Sequence, residues 1–267
     1  MKQLNALGLA FLALSATPAS AGIIQEGLIG WWSGSGNAAD SSSLHNNGSY
    51  SGQYVAGRLG NDLAFNLATG KVRIHDIQAY DYQQYPGFTI GFWYNFVSVP
   101  NGSNGTFLGQ DMGAGELPKL FIDYGYGHAG AFEIHLNNYG SSPRVFLPAT
   151  NVPISSGWNQ FTLVKDIDGF SFWLNGNAIG KAAYKGIIPN PQADLVFGYS
   201  EPCCQYGGYL QDVVIYNRPL SAREVTIVAS DGPISVPSPG TAWLCGIGLV
   251  AMGLYSKGRR DSVGAIG

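Results

Sequence analysis

The stretch GWNQFTLVKDIDGFSFWLNGNAIGK, Gly157 to Lys181, decides the fold. Gln160 to Lys165 alternates, with Phe161 and Leu163 on one face and Thr162 and Val164 on the other, and Phe170, Phe172 and Leu174 alternate again. Asp168-Gly169 reads as the tight turn between two strands. Asn175-Gly176 reads as a second, because a two-residue hairpin turn needs positive φ at both central positions, which Asn and Gly tolerate.

Outward from this hairpin the same period recurs. Phe88, Ile90, Phe92, Tyr94 and Phe96 share one face of a strand and form a core face, which places Trp93 on the opposite face with Thr89, Gly91 and Asn95. Shorter strands are expected at Gly27–Trp32, Leu63–Phe65, Val72–Ile74, Thr106–Gly109, Lys119–Asp123, Ala131–Leu136, Val145–Leu147, Leu195–Gly198 and Tyr209–Tyr216. In the sixth of these Phe132, Ile134 and Leu136 point inward, so Glu133 and His135 point outward. Ser221-Ala222-Arg223-Glu224 is a capping box that predicts a short closing helix. Ser33 to Tyr50 is a polar loop.

Three segments carry a family resemblance: Gly157–Val164 with Phe172–Gly176, Phe88–Trp93 upstream, and Gly208–Ser221 downstream. Together with Asn37-Ala38-Ala39-Asp40-Ser41-Ser42-Ser43, they resemble laminin-G-like, concanavalin A-like jelly rolls from about Gly27 to Val225. The resemblance implies an all-β sandwich of two antiparallel sheets. It leaves function open, since lectins, adhesion modules and glycosidases share this fold. It also implies calcium at the sandwich edge, held by Asp40 and by a position where Gln211 replaces an aspartate. The uncharged amide there weakens the expected affinity. The competing reading makes Asp40 and Gln211 hydrogen-bonders only.

The 267 residues include 38 glycines, 13% aromatic and only 12% charged residues, which suits many short strands joined by turns. A formal charge of −3 and the lack of a basic stripe argue against nucleic acid as a partner. Three cysteines build no disulfide framework. Cys203 and Cys204 are adjacent; a vicinal disulfide, free thiols and a bridge to another molecule are all compatible with the sequence. The first is strained, because adjacent Cα atoms sit ~3.8 Å apart and relaxed disulfides want at least about 4.4 Å.

Residues 1–21 read as a signal peptide: Lys2, an apolar run from Leu4 to Leu14, then Ala19-Ser20-Ala21. Residues 22–232 form the jelly-roll domain, and 233–267 a linker, a short apolar span and a basic tail. Pro237, Pro239, Gly240 and Thr241, the apolar run Ala242–Tyr255, and Arg259-Arg260 are similar to the PEP-CTERM sorting signal, which implies an exosortase-type processing enzyme as partner. Ser238 departs from that pattern, where Glu is usual. The run is shorter than the ~20 residues of a spanning helix, so a buried helix competes with a membrane span.

For catalysis, glucan-cleaving jelly rolls alternate paired carboxylates along one strand, and no Glu-x-Asp-x-Glu occurs here. Asp123 and Glu133 stand singly, so a pair would have to form across strands. For binding, Trp93 and Trp173 face away from the core and would form an aromatic platform with Glu133 and His135 if one sheet carried all four. Otherwise these aromatics simply cover the sheet. The chain is therefore expected to be an exported, non-catalytic cell-surface protein that binds or organises polysaccharide or extracellular matrix. A divergent glycoside hydrolase and a structural envelope protein are the alternatives.

Overall fold

The computed structural model describes residues 24–97, 105–111, 118–125, 130–137, 157–198 and 206–231, with the backbone of 144–146. The segments expected as signal peptide and sorting tail lie outside the described residues, as do Cys203 and Cys204. The described residues belong to one compact unit, Ile23–Ile234. No helix among them is long and apolar enough to cross a membrane.

Among the described residues, fifteen strands and one α-helix follow in chain order. The first five are β1 (Leu28–Trp32), β2 (Ser49–Tyr50), β3 (Tyr54–Ala56), β4 (Leu63–Asn66) and β5 (Val72–Ile74). Next come β6 (Phe88–Phe96), β7 (Gly105–Asp111), β8 (Lys119–Tyr124), β9 (Phe132–Asn137) and β10 (Arg144–Phe146). The chain closes with β11 (Trp158–Lys165), β12 (Gly169–Leu174), β13 (Asn177–Ala183), β14 (Leu195–Phe197), β15 (Gly208–Tyr216) and α1 (Ala222–Asp231). One sheet runs β13-β12-β11-β6-β15-β4-β3 with β1 added to β15; the other runs β10-β9-β8-β7-β14-β5-β2. Every pairing is antiparallel.

The alternation in the sequence is what binds the sheets together. Phe161 and Leu163 of β11, Phe88, Ile90 and Phe92 of β6, and Phe132 and Leu136 of β9 are fully buried between the layers. The Phe132 and Phe161 rings stack across the two sheets with centroids 4.2 Å apart. Aromatic pairs in this geometry add to simple area burial.

A second, smaller cluster lies on the outer face of the eight-stranded sheet, where α1 packs. Val164, Val214 and Tyr216 meet Leu220, Val225 and Val228 there. The predicted capping box starts this helix: the Ser221 N–H donates to Glu224 at 2.7 Å, and the Glu224 N–H faces the Ser221 hydroxyl at 3.4 Å. Arg218 grips the same carboxylate with both terminal nitrogens, at 2.6 and 3.1 Å, which holds it down to about 2.

Two local expectations need correction. The turn after β11 is not a two-residue Asp-Gly turn, because Gly169 already belongs to β12; Asp166 closes it by accepting the N–H groups of Asp168 and Gly169. The end of Ser33–Tyr50, expected as a polar loop, instead pairs as the short strand β2, Ser49 with Arg73 and Tyr50 with Val72. The Asn175-Gly176 turn has the expected conformation, with φ of 50° and 76°.

Candidate functional site

Of the four residues expected to form one platform, the structure separates two from two. Trp93 (β6) and Trp173 (β12) belong to the eight-stranded sheet, whereas Glu133 and His135 lie on β9 of the other sheet. Each pair faces away from the core of its own sheet, so they look out from opposite sides of the sandwich. Alternation tells in from out along one strand; it does not say which sheet the strand joins.

Trp173 is structural. It packs, partly buried, against the cluster beneath α1, and its indole N–H donates to Ser171 at 3.0 Å. Trp93 is placed differently. On the outer face of β6 it sits between Gln160 of β11 and Gln211 of β15. One row further along, Asn95 sits between Trp158 and Tyr209, whose rings approach to 6.4 Å. Two residues along a strand advance about 7 Å. The result is a two-row grid in which Trp158, Asn95, Tyr209 and Trp93 are all partly exposed.

Arg58 covers Trp93, with its guanidinium carbon 4.2 Å from the ring centre. The Arg58 Nε, the Trp93 Nε1 and the Gln160 Oε1 are buried with no hydrogen-bond partner among the described residues. The grid thus combines aromatic faces, amides and unmatched polar atoms, the features from which carbohydrate surfaces are built. Its Trp158, Tyr209 and Asn95 were legible from strand parity in the segments already matched to the family; Arg58 carried no signal.

Beside the grid, Asp212 sits in a β-bulge at φ 49°. Burial pushes its carboxyl up to about 6, against the indole N–H of Trp31 at 3.4 Å and the charge of Arg58, while Asp62 pushes it further.

The expected calcium ligands serve another purpose. Asp40 Oδ1 accepts the N–H groups of Trp31 and Ser42 at 2.9 and 2.8 Å, and Oδ2 accepts the Ser42 hydroxyl and the Asn46 N–H at 2.8 and 2.9 Å. A carboxylate offers about four acceptor positions, and four donors fill them. Gln211 accepts the Arg58 N–H at 2.8 Å and donates to Asp62. Positive hydrogens point where a cation would sit, so Asp40 and Gln211 do not fit calcium. No three His, Cys, Asp or Glu side chains converge on a metal position among the described residues.

On the far side of the sandwich, the outer face of β7, β8 and β9 gathers Thr106, Asp123 and Glu133 in one row and Phe121 and His135 in the next. Asp123 and Glu133 are direct cross-strand partners. The Thr106 hydroxyl donates to Asp123 at 2.6 Å, and the His135 ring meets Phe121 edge-on at 5.4 Å. All of these side chains are buried, Asp123 and Glu133 to within 2%. Sequence inspection found the two carboxylates but not their pairing, because β8 and β9 acquire their register only in the sheet.

Comparison with known proteins agrees with the architecture. Residues 66–226 match the model of the concanavalin A-like lectin/glucanases superfamily. Among solved structures, domain 4 of an extracellular arabinanase from Geobacillus stearothermophilus, in complex with arabinotriose, superposes with a TM-score of 0.60 at 14% identity, over 76% of this chain and 98% of that one. The binding domain of Paraclostridial Mosquitocidal Protein 1 gives 0.60 at 16% identity, over 77% and 52%. Botulinum neurotoxin type C, in a study of its dependence on two ganglioside molecules for cell entry, gives 0.57 at 16%, over 77% and 51%. This chain therefore spans about half of the toxin chains, and at these identities the likeness is one of fold. No curated protein matches in sequence. With two face-to-face antiparallel sheets and a family match over more than half its length, the chain belongs to the concanavalin A-like lectin/glucanases superfamily.

Proposed function

We propose that the domain binds polysaccharide without cleaving it, on the grid of Trp158, Tyr209, Asn95 and Trp93 on the eight-stranded sheet. The observation that carries this reading is the partial exposure of three aromatic rings on adjacent rows of one sheet face. Rings of this kind stack on the apolar faces of sugars while amides fix the hydroxyls. Two similar folds are described with sugars, arabinotriose in one case and gangliosides in the other. The location belongs to the same proposal: the signal peptide at 1–21 and the PEP-CTERM-like segment from Pro237 to Arg260 argue for export, exosortase-type processing and display at the cell envelope.

Affinity electrophoresis of the chain through gels containing arabinan, xylan or an acidic glycan tests this. A retarding polysaccharide should lose its effect at least tenfold with Trp158→Ala or Tyr209→Ala, while Trp173→Ala leaves it unchanged. Equal retardation of the Trp93/Trp158/Tyr209 triple alanine variant would falsify the grid as the binding surface.

The pairing of Asp123 with Glu133 favours a second reading, glycoside hydrolysis. Directly opposed residues have Cβ atoms about 4.5–5.5 Å apart, compatible with the roughly 5–5.5 Å between carboxyl groups of retaining enzymes. Their near-complete burial argues against it. Release of reducing sugar that is abolished by Glu133→Gln and by Asp123→Asn would establish it over the non-catalytic reading.

A further inference from the structure

We propose that the side chains of Lys119 and Asn137 condense into an intramolecular amide cross-link, with Asp111 as the general base. β7, β8 and β9 are neighbours in the seven-stranded sheet, and their register sets Asp111 opposite Lys119 and Lys119 opposite Asn137. Leu120 and Leu136, the next residues in the ladder, are buried in the core between the sheets. By alternation the three polar side chains therefore share the outer face, one row beyond Phe121 and His135.

This row is buried. Lys119 is 4% exposed and Asn137 3%. The Lys119 Nζ lies 3.8 Å from Asp111 Oδ1, and the Asp111 side chain is itself only 10% exposed. The same Nζ lies 6.0 Å from the centre of the Phe121 ring. On the other flank, the Asn137 Oδ1 is buried with no hydrogen-bond partner among the described residues. Directly opposed residues hold their Cβ atoms about 4.5–5.5 Å apart, and the flexible four-carbon stem of lysine bridges such a gap. A nucleophile, its base and a carboxamide thus stand on three adjacent strands, shielded from bulk water.

Two opposite charges are costly in such a place, and moving one proton from the Lys119 ammonium to Asp111 removes both. The freed amine lone pair forms a C–N bond to Asn137 Cγ while the carbonyl electron pair moves onto Oδ1. A second proton passes from the attacking nitrogen to Nδ2, the carbonyl re-forms, the Cγ–Nδ2 bond breaks and ammonia leaves. It takes up the proton held by Asp111 and departs as ammonium, which restores the carboxylate. Nothing is oxidised or reduced. The strand register supplies the proximity that makes amide exchange between side chains feasible. The product closes the chain from 119 to 137 covalently, in a protein whose cysteines build no disulfide framework.

The test is a tryptic map of the denatured full chain by mass spectrometry. Trypsin cuts after Arg73, Lys119 and Arg144 and nowhere between them, so an unlinked chain yields peptides 74–119 and 120–144. A linked chain, whose Lys119 is neutral and substituted, should yield a single peptide 74–144, lighter than its sequence by one ammonia, with fragmentation joining Lys119 to Asn137. Lys119→Arg, which keeps the charge beside Asp111, and Asn137→Ala should each restore the full mass. Asp111→Asn should cut the linked fraction roughly tenfold or more. Peptides 74–119 and 120–144 at full mass from the parent overturn the proposal, whether or not any variant folds. Loss of one water in place of ammonia, the mark of a bond between Lys119 and Asp111, overturns it as well. An Asp111→Asn chain linked to the same extent as the parent overturns the role given to Asp111.

Discussion

The Arg58 guanidinium stacks on the Trp93 ring at 4.2 Å while its Nε is buried with no acceptor among the described residues. The contact couples the β3–β4 connection to the outer face of β6. A cation over an indole contributes about 0.5–1 kcal/mol when exposed and about 2 when desolvated. Arg58→Ala should therefore lower stability by about 1 kcal/mol in urea unfolding. It should also weaken any polysaccharide retention several-fold. Arg58→Lys should recover little of either, since an ammonium has neither the flat face nor the fork of the guanidinium. Full recovery by lysine would mean that charge alone matters.

Asp212 sets a pH dependence whose sign is opposite to that of most carboxylates. Its folded value, raised to about 6 chiefly by burial, exceeds the ordinary 3.8. Between those two values the folded state binds more protons than the unfolded state. Stability from this group is therefore present below about pH 4 and lost as pH rises through 6. Asp212→Asn should remove that loss and stabilise the protein at pH 7 by about 1–2 kcal/mol. Asparagine tolerates the positive φ of this position. Thermal unfolding across pH 4–7 checks this: a parent and variant that differ by a constant amount would contradict it.

Glu224 works in the other direction. Its folded value, about 2, is set first by Arg218 and then by the cap with Ser221, so its contribution is present above about pH 4.5 and is lost as pH falls towards 2. Because the pair is partly solvated, the effect is modest. Ser221→Ala should cost about 1 kcal/mol at pH 7. Arg218→Ala should destabilise the α1 end and flatten the acid limb between pH 4 and 2, read by urea titration at each pH. An unchanged acid limb would place the control elsewhere.

The fold was legible because its evidence is local. Period-two alternation at Phe161, Leu163, Phe88, Ile90 and Phe132 names the buried face of each strand without knowledge of the partner, and the Ser221 box and the Asn175-Gly176 turn are read within four residues. The site was legible only in its outward parity, because a site is made by pairing. Trp93 and Glu133 each point outward, yet the sheets that own them face opposite ways. Asp40 was expected as a cation ligand from the family resemblance, and a carboxylate in such a Ser- and Asn-rich loop serves equally well as an acceptor for N–H and O–H groups, as it does here.

The hairpin that organises the sequence also ties the helix to the sheet, and this gives the sharpest test of its turn. Gly176 has φ 76°, and a Cβ built there would lie 3.3 Å from the Ala229 methyl and 3.4 Å from the Thr226 Cα. Gly176→Ala therefore meets two penalties at once: the left-handed conformation, about 1 kcal/mol, and contact with the back of α1. Its neighbour Asn175 also has positive φ but supports the hairpin through its side chain, accepting the Gln160 N–H at 2.8 Å and donating to Asn159 at 3.0 Å. Asn175→Gly should thus relieve backbone strain yet lose two hydrogen bonds, for a net cost of about 1 kcal/mol. Gly176→Ala should cost more, about 1–2 kcal/mol, and should increase hydrogen exchange in α1 as well as in the turn. Asn175→Gly should affect the turn alone. If α1 exchanges equally in the two variants, the contact between the turn and the helix does not contribute to its stability.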